Sequence, residues 1–298
     1  MTPVHSEAAV AIGNFDGVHL GHQALVASAL SAAKARGAVP CVLTFSPHPQ
    51  DVLRPSLQGH RLTTDAEKFT ILKNLGMELI WAMPFDKSVA ALSAQDFFQK
   101  TLVDVLHAKS IHVGEDFHFG NKRSGNTQTL RECGRKAGIE VVVLSDVVSN
   151  GLRISSSEIR KKLQEGELAQ ANALMGRTYR LAGQVQAGDG RGKQLGTPTA
   201  NINYPKEKVA PRAGVYATRL HWKGKAYASV SNFGVRPTFH THNIPTLETH
   251  ILDFHHDLYG DWVEVEFLSR IRDEARFDSV DALRAQMAID IETARRSC

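Results

Sequence analysis

Cysteine is scarce. The 298 residues contain three, Cys41, Cys133 and Cys298, and none stands in a C-x-x-C pair. That spacing excludes a disulfide framework and a zinc ribbon, and scattered thiols of odd number fit a reducing, cytoplasmic compartment. Long apolar runs are missing too: none approaches the roughly 20 residues of a membrane-spanning helix. The N-terminus lacks the basic stretch and apolar segment of a secretory signal. Charge of either sign is not in excess, since 35 Lys and Arg against 31 Asp and Glu leave +4. A surplus that small argues against a nucleic-acid binder and leaves local clusters to meet phosphates. Repeats and low-complexity tracts are absent. What is present is a globular composition, 42% hydrophobic and 22% charged. The length suits two domains of about 150 residues or one large α/β domain.

Periodicity favours two. Up to about residue 150, apolar runs at 8–13, 39–45, 79–83, 110–114 and 140–144 alternate with helical patterns. In the first of these Leu25, Val26, Ala29, Leu30 and Ala33 recur at helical spacing before Gly37. Further helices are expected at 65–75, 94–107 and 127–136. Such alternation predicts a parallel sheet covered by helices, with ligands at the carboxyl ends of its strands. A polar helical stretch, 155–175, is interrupted at Gly166. Past residue 180 the runs shorten to about eight residues between Gly, Pro and Asn, and Val263, Val265 and Phe267 alternate with glutamates. This predicts an antiparallel β-barrel, closed by a helix whose stripe is Val280, Leu283, Met287 and Ile291. The expected domains are 1–177, linker helices included, and 178–298.

Two constellations carry chemistry. The first, Gly13 to His22 (GNFDGVHLGH), falls where the first strand passes into the first helix. Gly17 and Gly21 allow the backbone to approach a ligand closely, and a helix N-terminus offers N–H groups to an anion. His19 and His22, three apart on one helical face, are placed to donate to phosphate oxygens, as nucleotidyl transfer requires. Alone, the pair also fits an ordinary turn with surface histidines; a zinc site is less favoured because no third ligand is evident. Farther on, Arg153, Ser156, Ser157 and Arg160 (RISSSEIR) combine a helix start with a grip for a triphosphate. The second constellation is the glycine-dense stretch 188–201, carrying Arg191 and Lys193, which suits phosphates although it is no Walker A loop. Thr199 and Asn201, two apart in extended chain, present two oxygens on one side, suited to Mg²⁺. Glu248 and His250 share one face of a strand, and Glu248 is a candidate general base.

In this order GNFDGVHLGH, TFSPHPQDVLRP, GEDFHFG and RISSSEIR resemble the N-terminal module of prokaryotic bifunctional FAD synthetases, an HxGH nucleotidyltransferase. GRGKQLGTPTANI, GVYA, SNFGVRPTF and ETHILDFHHDLYG resemble the riboflavin kinase module of the same family. The resemblance implies a Rossmann-like α/β domain joined to a small β-barrel. It also implies riboflavin phosphorylation by ATP and Mg²⁺ to FMN, then adenylylation of FMN to FAD with release of pyrophosphate. By residue match, His19 and His22 stabilise the reacting phosphates, and Gly17, Gly21, Arg153, Ser156, Ser157 and Arg160 bind ATP. Asp116 lies near the flavin, Thr199 and Asn201 hold metal and phosphate, and Glu248 is the base. Gly196 shapes the nucleotide pocket, while Asn232, Arg236 and Thr238 fall near the kinase site. His118 stands where arginine is common in the family, and Ser157 where threonine is frequent. Two other readings share these motifs: a chain with one live activity, and a non-catalytic flavin- or nucleotide-binding regulator. The expected partners are riboflavin, FMN, FAD and ATP, with neither nucleic acid nor membrane; the oligomeric state is left open.

Overall fold

The computed structural model describes residues 6–149, 151–188, 197–236 and 244–298. The chain divides into two compact units, Met1–Ser156 and Ser157–Cys298.

In the first unit five parallel strands, β1 (Ala8–Ile12), β2 (Val39–Ser46), β3 (Leu79–Pro84), β4 (Ala108–Gly114) and β5 (Glu140–Leu144), lie in the order β3-β2-β1-β4-β5. Every residue of β1 is buried, as a central strand between two helical layers demands. Val10, Ile12, Leu43, Phe98, Ile111 and Val113 form the core on one side. Ala11, Phe15, Val18, Leu25, Val26 and Leu72 form it on the other. The order reverses between β1 and β4, so the crevice for a ligand opens beyond the carboxyl end of β1. There α1 (Leu20–Arg36) begins, rich in alanine and leucine; it stops at Gly37, which takes the left-handed conformation at φ 63°. A polar bridge fastens α1 to the sheet: His112 of β4, 1% exposed, has Nδ1 2.8 Å from Ser28 Oγ and Nε2 3.0 Å from Ser110 Oγ. Burial pulls the His112 pKa down to about 4.

The helices expected at 65–75 and 127–136 are α2 (Asp65–Asn74) and α3 (Thr127–Ala137). Thr64 caps α2, with Glu67 answering in a capping box. The helix expected at 94–107 is different. One turn, Ala94–Asp96, opens into a π-helix over Phe97–Val103, whose wider turn buries Phe97, Phe98, Thr101 and Leu102 together. Periodicity near 3.6 does not register such a widening.

In the second unit α4 (Ser156–Glu165, its first residue closing the first unit) and α5 (Leu168–Met175) flank Gly166, at φ 83°. Six strands follow: β6 (Arg180–Gln186), β7 (Ala200–Asn203), β8 (Gly214–Trp222), β9 (Lys225–Arg236), β10 (Ile244–Ile251) and β11 (Trp262–Arg272). They close an antiparallel barrel in the order β6-β7-β10-β9-β8-β11. Its interior holds Leu220, Phe233, Leu247, Val265 and Phe267, all within 2% exposure. It also holds a hydroxyl chain, in which Thr218 Oγ1 lies 2.8 Å from both Ser229 Oγ and Ser231 Oγ, and Ser231 Oγ lies 2.8 Å from Thr249 Oγ1. Each buried hydroxyl thereby finds a partner. The closing helix α6 (Val280–Ser297) keeps Leu283, Met287 and Ile291 of its expected stripe half-buried and departs from it at Val280. Val280 is 55% exposed, while Asp290 and Ala294 are its buried residues. Asp290 is drawn inward by Arg272, which donates through Nε (3.0 Å) and Nη2 (2.7 Å) to its carboxylate. A hydropathy pattern scores a buried ion pair as surface.

Candidate active sites

The β1–α1 loop is a constrained piece of backbone. Phe15 (φ 53°) and Val18 (φ 37°) occupy the left-handed region without being glycine, and Gly17 (φ 81°) lies between them. Such conformations cost about 1–3 kcal/mol each and persist where the surroundings fix them. The surroundings here are distant in sequence. Asp16, 4% exposed, accepts from Leu62 N (2.8 Å) and Thr63 N (3.2 Å). Gly17 N donates to Thr63 Oγ1 (3.0 Å), Thr44 Oγ1 to Asn14 O (3.1 Å), and Ser156 Oγ to Asp16 O (2.8 Å). A Cβ on Gly17 would meet Leu62 Cδ1 at 2.7 Å.

The loop delivers the histidine pair in a form the spacing alone does not give. His19 is not on the helix; it is the N-cap, with extended backbone, and its Nδ1 accepts from His22 N at 3.3 Å. With Nδ1 used as acceptor, the neutral ring carries its proton on Nε2 and can donate from there. The two rings stack, 3.7 Å between centroids and 16° from parallel. Gly21 makes room for this: a Cβ there would press on His19 Cε1 and Nδ1 at 3.2 Å. The H-x-G-H spacing is thus a capped helix start with two imidazoles side by side.

Arg153 and Asp116, expected at ATP and flavin, meet each other in this structure. Arg153 Nη2 lies 2.7 Å from Asp116 Oδ2, and Arg153 Nε lies 2.5 Å from Asp146 Oδ2. His118 is exposed, with Nδ1 2.7 Å from Asp116 O and 3.0 Å from Arg123 Nη2. Ser156 buttresses the loop through its bond to Asp16. Ser157 and Arg160 lie on the first turns of α4, in the second unit, exposed and half-buried respectively.

Among the described residues one group, His48, Asp51 and His60, brings ligand atoms within 4.8 Å of one another. Its chemistry opposes a cation. His48 Nδ1 accepts from Gln50 N (3.2 Å) as a helix cap, which leaves the proton on Nε2. The buried Arg61 guanidinium is hydrogen-bonded to Asp51 and adds positive charge. Burial, beyond the opposing pull of Asp16, brings the His48 pKa down to about 4. Arg61 and His60 directly precede Leu62 and Thr63, so the group braces the segment that holds Asp16.

The barrel places its candidates by register. Asn201 of β7 stands opposite Glu248 of β10, and Glu248 stands opposite Asn232 of β9. Opposed residues share a face with Cβ atoms about 5 Å apart, so Asn201, Glu248 and Asn232 form one row on three strands. Leu247 and Thr249 on either side are buried, and the half-buried Glu248 and His250 share the other face, as expected. His250 Nδ1 donates to Pro198 O (2.9 Å), tying the approach to Thr199 to β10. Thr199 borders a cavity of about 140 Å³ shared with Val185, Ile251, Phe254 and Tyr259. The Asn201 amide lies over Gly188, where a Cβ would come within 2.1 Å of its nitrogen. The Thr199 hydroxyl and Asn201 amide oxygen are neutral, hard donors, the kind Mg²⁺ takes alongside phosphate oxygens. Gly196, Arg191, Lys193 and Thr238 lie outside the described residues; Arg236 closes β9.

Sequence reasoning passed over Asp16, Thr63, Asp146 and Glu274. Asp16 stands inside the GNFDGVHLGH motif, but aspartate is an ordinary turn residue, and its partners Leu62 N and Thr63 N are far away in sequence. Glu274, whose Oε1 accepts from Asn232 Nδ2 at 3.5 Å, carried no local signal.

A capped double-histidine loop at the switch point of a parallel sheet, and a barrel carrying an amide–carboxylate–amide row, define a two-domain chain that handles nucleotides. Comparison with known proteins agrees. The FAD synthetase family model matches residues 1–158, and the riboflavin kinase family model matches residues 175–298. Similar curated proteins include the bifunctional riboflavin kinase/FMN adenylyltransferase of Pseudomonas fluorescens, 37% identical over 99% of this chain and 94% of its own length. The protein of that name from Escherichia coli (strain K12) is 38% identical over 95% of this chain and 90% of its own. A crystal structure from Streptococcus pneumoniae, described as a macrolide-efflux protein, superposes with a TM-score of 0.91 at 32% identity, covering 99% of this chain and 95% of that one. That description concerns the Streptococcus protein; no helix among the residues described here is long and apolar enough to cross a membrane. The chain belongs to the bifunctional riboflavin kinase/FMN adenylyltransferase family.

Proposed function

We infer that this chain converts riboflavin to FAD in two ATP-dependent steps, one in each unit. The observation that carries the reading is that each family match falls on its own chemical constellation, the stacked His19–His22 pair in one and the Asn201–Glu248–Asn232 row in the other.

In the kinase step Glu248 takes the proton of the riboflavin 5′-hydroxyl as its oxygen attacks the γ-phosphorus of ATP, and ADP leaves. Thr199 and Asn201 would hold Mg²⁺, which when bound neutralises charge on the phosphates. The cavity beside Thr199 receives the nucleotide, with Gly196 assigned to the same pocket by the family resemblance, and Asn232 and Arg236 are the flavin-binding candidates. In the adenylylation step a phosphate oxygen of FMN attacks the α-phosphorus of ATP and pyrophosphate departs, with no covalent enzyme intermediate. His19, its proton held on Nε2, and His22 donate to the oxygens that gain charge. Gly17, Gly21 and Ser156 hold the phosphates. Arg153 exchanges its carboxylate partners for phosphate, leaving Asp116 to the flavin. The functional boundary falls near residue 178, between the two helices that follow Ser155 and the first barrel strand. A cytoplasmic setting is supported by the three free cysteines.

Incubation of the pure protein with riboflavin, ATP and Mg²⁺, with flavins resolved by chromatography, should give FMN first and FAD after it. Formation of neither product sinks the reading. Formation of one alone reduces the chain to a single live activity, and tight FMN binding without ATP consumption makes it a sensor.

A further inference from the structure

We propose that Glu274 is a positioning residue of the kinase site: its carboxylate holds the Asn232 amide, so that Asn232 Oδ1 is presented beside Glu248 as an acceptor for a substrate hydroxyl. The proposal rests on the kinase reading above and goes beyond it in naming what sets the row.

Glu274 lies on the connection from β11 to α6, a place where a side chain would ordinarily wander. Here the backbone immediately before it is pinned. Asp273, its neighbour, is held by Arg212 (Nη2 to Oδ1 3.2 Å) and by Arg270. Arg272 donates through Nη1 to Asp273 O (2.9 Å) while its other nitrogens grip the buried Asp290 of α6. On the far side Phe277 packs its ring 5.7 Å from the Arg272 guanidinium carbon. Three arginines thus fix the corner from which Glu274 departs.

The carboxylate arrives at a place made for it. Oε1 accepts from Asn232 Nδ2 at 3.5 Å. It also lies over Gly234, where a Cβ would stand 2.2 Å from the same oxygen. Gly234 is a buried strand residue with no positive φ to explain it, and the space it leaves is the space Glu274 fills. An amide has its nitrogen and oxygen on opposite sides of one carbon. With Nδ2 committed to Glu274, Oδ1 faces the other way and accepts from a hydroxyl donor. The substrate class this suits is a polyol, one hydroxyl meeting the Glu248 base and another meeting Asn232.

The test uses the full chain and measures kcat and KM for riboflavin phosphorylation, with adenylylation of supplied FMN on the same preparations. Glu274→Ala should lower kcat/KM roughly tenfold, the value of one hydrogen bond to a charged acceptor. Glu274→Gln, whose amide oxygen still accepts from Asn232, should restore most of it. Gly234→Ala should reproduce the Glu274→Ala defect, because the added methyl displaces only the end of a flexible side chain. The Asn232→Ala/Glu274→Ala double variant should be no worse than Asn232→Ala. Parent kinetics for Glu274→Ala overturn the proposal, as do losses that multiply in the double variant or a Gln variant as impaired as Ala. Loss of both activities together would make Glu274 merely structural and overturn it too. Failure of the underlying reading is separately visible, as absence of FMN from the unsubstituted chain.

Discussion

The two sites are held in opposite ways. The β1–α1 loop sits in backbone that Phe15 and Val18 would not choose locally, and residues 44, 62, 63 and 156 keep it there. The Asn201–Glu248–Asn232 row is set by its ladder partners, strand against strand. Strain clamped from afar gives a loop with glycine-gated access to an anion; register gives three side chains in line on a rigid wall. One site therefore depends on contacts spread over the α/β unit, whereas the other depends on the rungs of its sheet and on the proposed Glu274 contact behind Asn232.

The largest expected effect separates the two chemically. Glu248→Gln keeps the size and hydrogen bonding of the side chain and removes its basicity. FMN formation should fall by about 10²–10⁴-fold, the usual worth of a general base, with FAD formation from supplied FMN at the parent rate. Separate assays of the two half-reactions decide it; equal loss of both in a folded variant would erase the division between the sites.

Next in size is the converse. His19→Ala removes the Nε2 donor and, with it, the cap on α1. Adenylylation should fall by about 10²–10³-fold, as for other preorganised donors to a charged transition state. Because the cap contributes only about 1 kcal/mol, the unit should stay folded and the kinase unaffected. Circular dichroism alongside the rates distinguishes the lost donor from a lost helix, and an unchanged adenylylation rate would remove His19 from the chemistry.

The contrast also explains what could be read from the sequence. Strand–helix alternation made the parallel sheet legible, and period two put Glu248 and His250 on one face, because both patterns are local. The same locality hid the π-helix at Phe97, where tertiary packing sets the turn, and missed that an ion pair buries Asp290 beside the half-buried Leu283, Met287 and Ile291 while Val280 stays exposed. At the sites, His19 and His22 were legible as a pair, yet His19 as a cap was not, since the cap depends on a backbone bent by Asp16 and Thr63. Asn232 opposite Glu248 required the register of β9 on β10. Glu274 required the arginine-pinned corner, which no spacing encodes.

The smallest effect compares the units by acid. His48 and His112 both lie in the first unit and both have pKa values drawn down to about 4 by burial. Their unfolded value is near 6.5, so between that pH and about 4 the unfolded chain binds the extra protons. The stability they contribute is therefore intact above pH 6.5 and drains as pH falls through this window. In the barrel the buried Glu266 is held below the usual carboxylate range: the His221 hydrogen bond and the Arg180 charge outweigh a burial cost that is itself the largest influence and acts upward. Its contribution is present above about pH 4.5 and is lost only below that, as the carboxylate protonates. At pH 5 the first unit should thus have lost about 1–2 kcal/mol per histidine, and the barrel almost nothing. Intrinsic tryptophan fluorescence reports them separately, since Trp81 belongs to the sheet while Trp222 and Trp262 belong to the barrel. Emission of a Trp81→Phe variant, set against a Trp222→Phe/Trp262→Phe variant, during denaturant unfolding at pH 8 and pH 5 should show the sheet midpoint moving and the barrel midpoint fixed. Equal movement of the two midpoints would mean that His48 and His112 do not set the acid response.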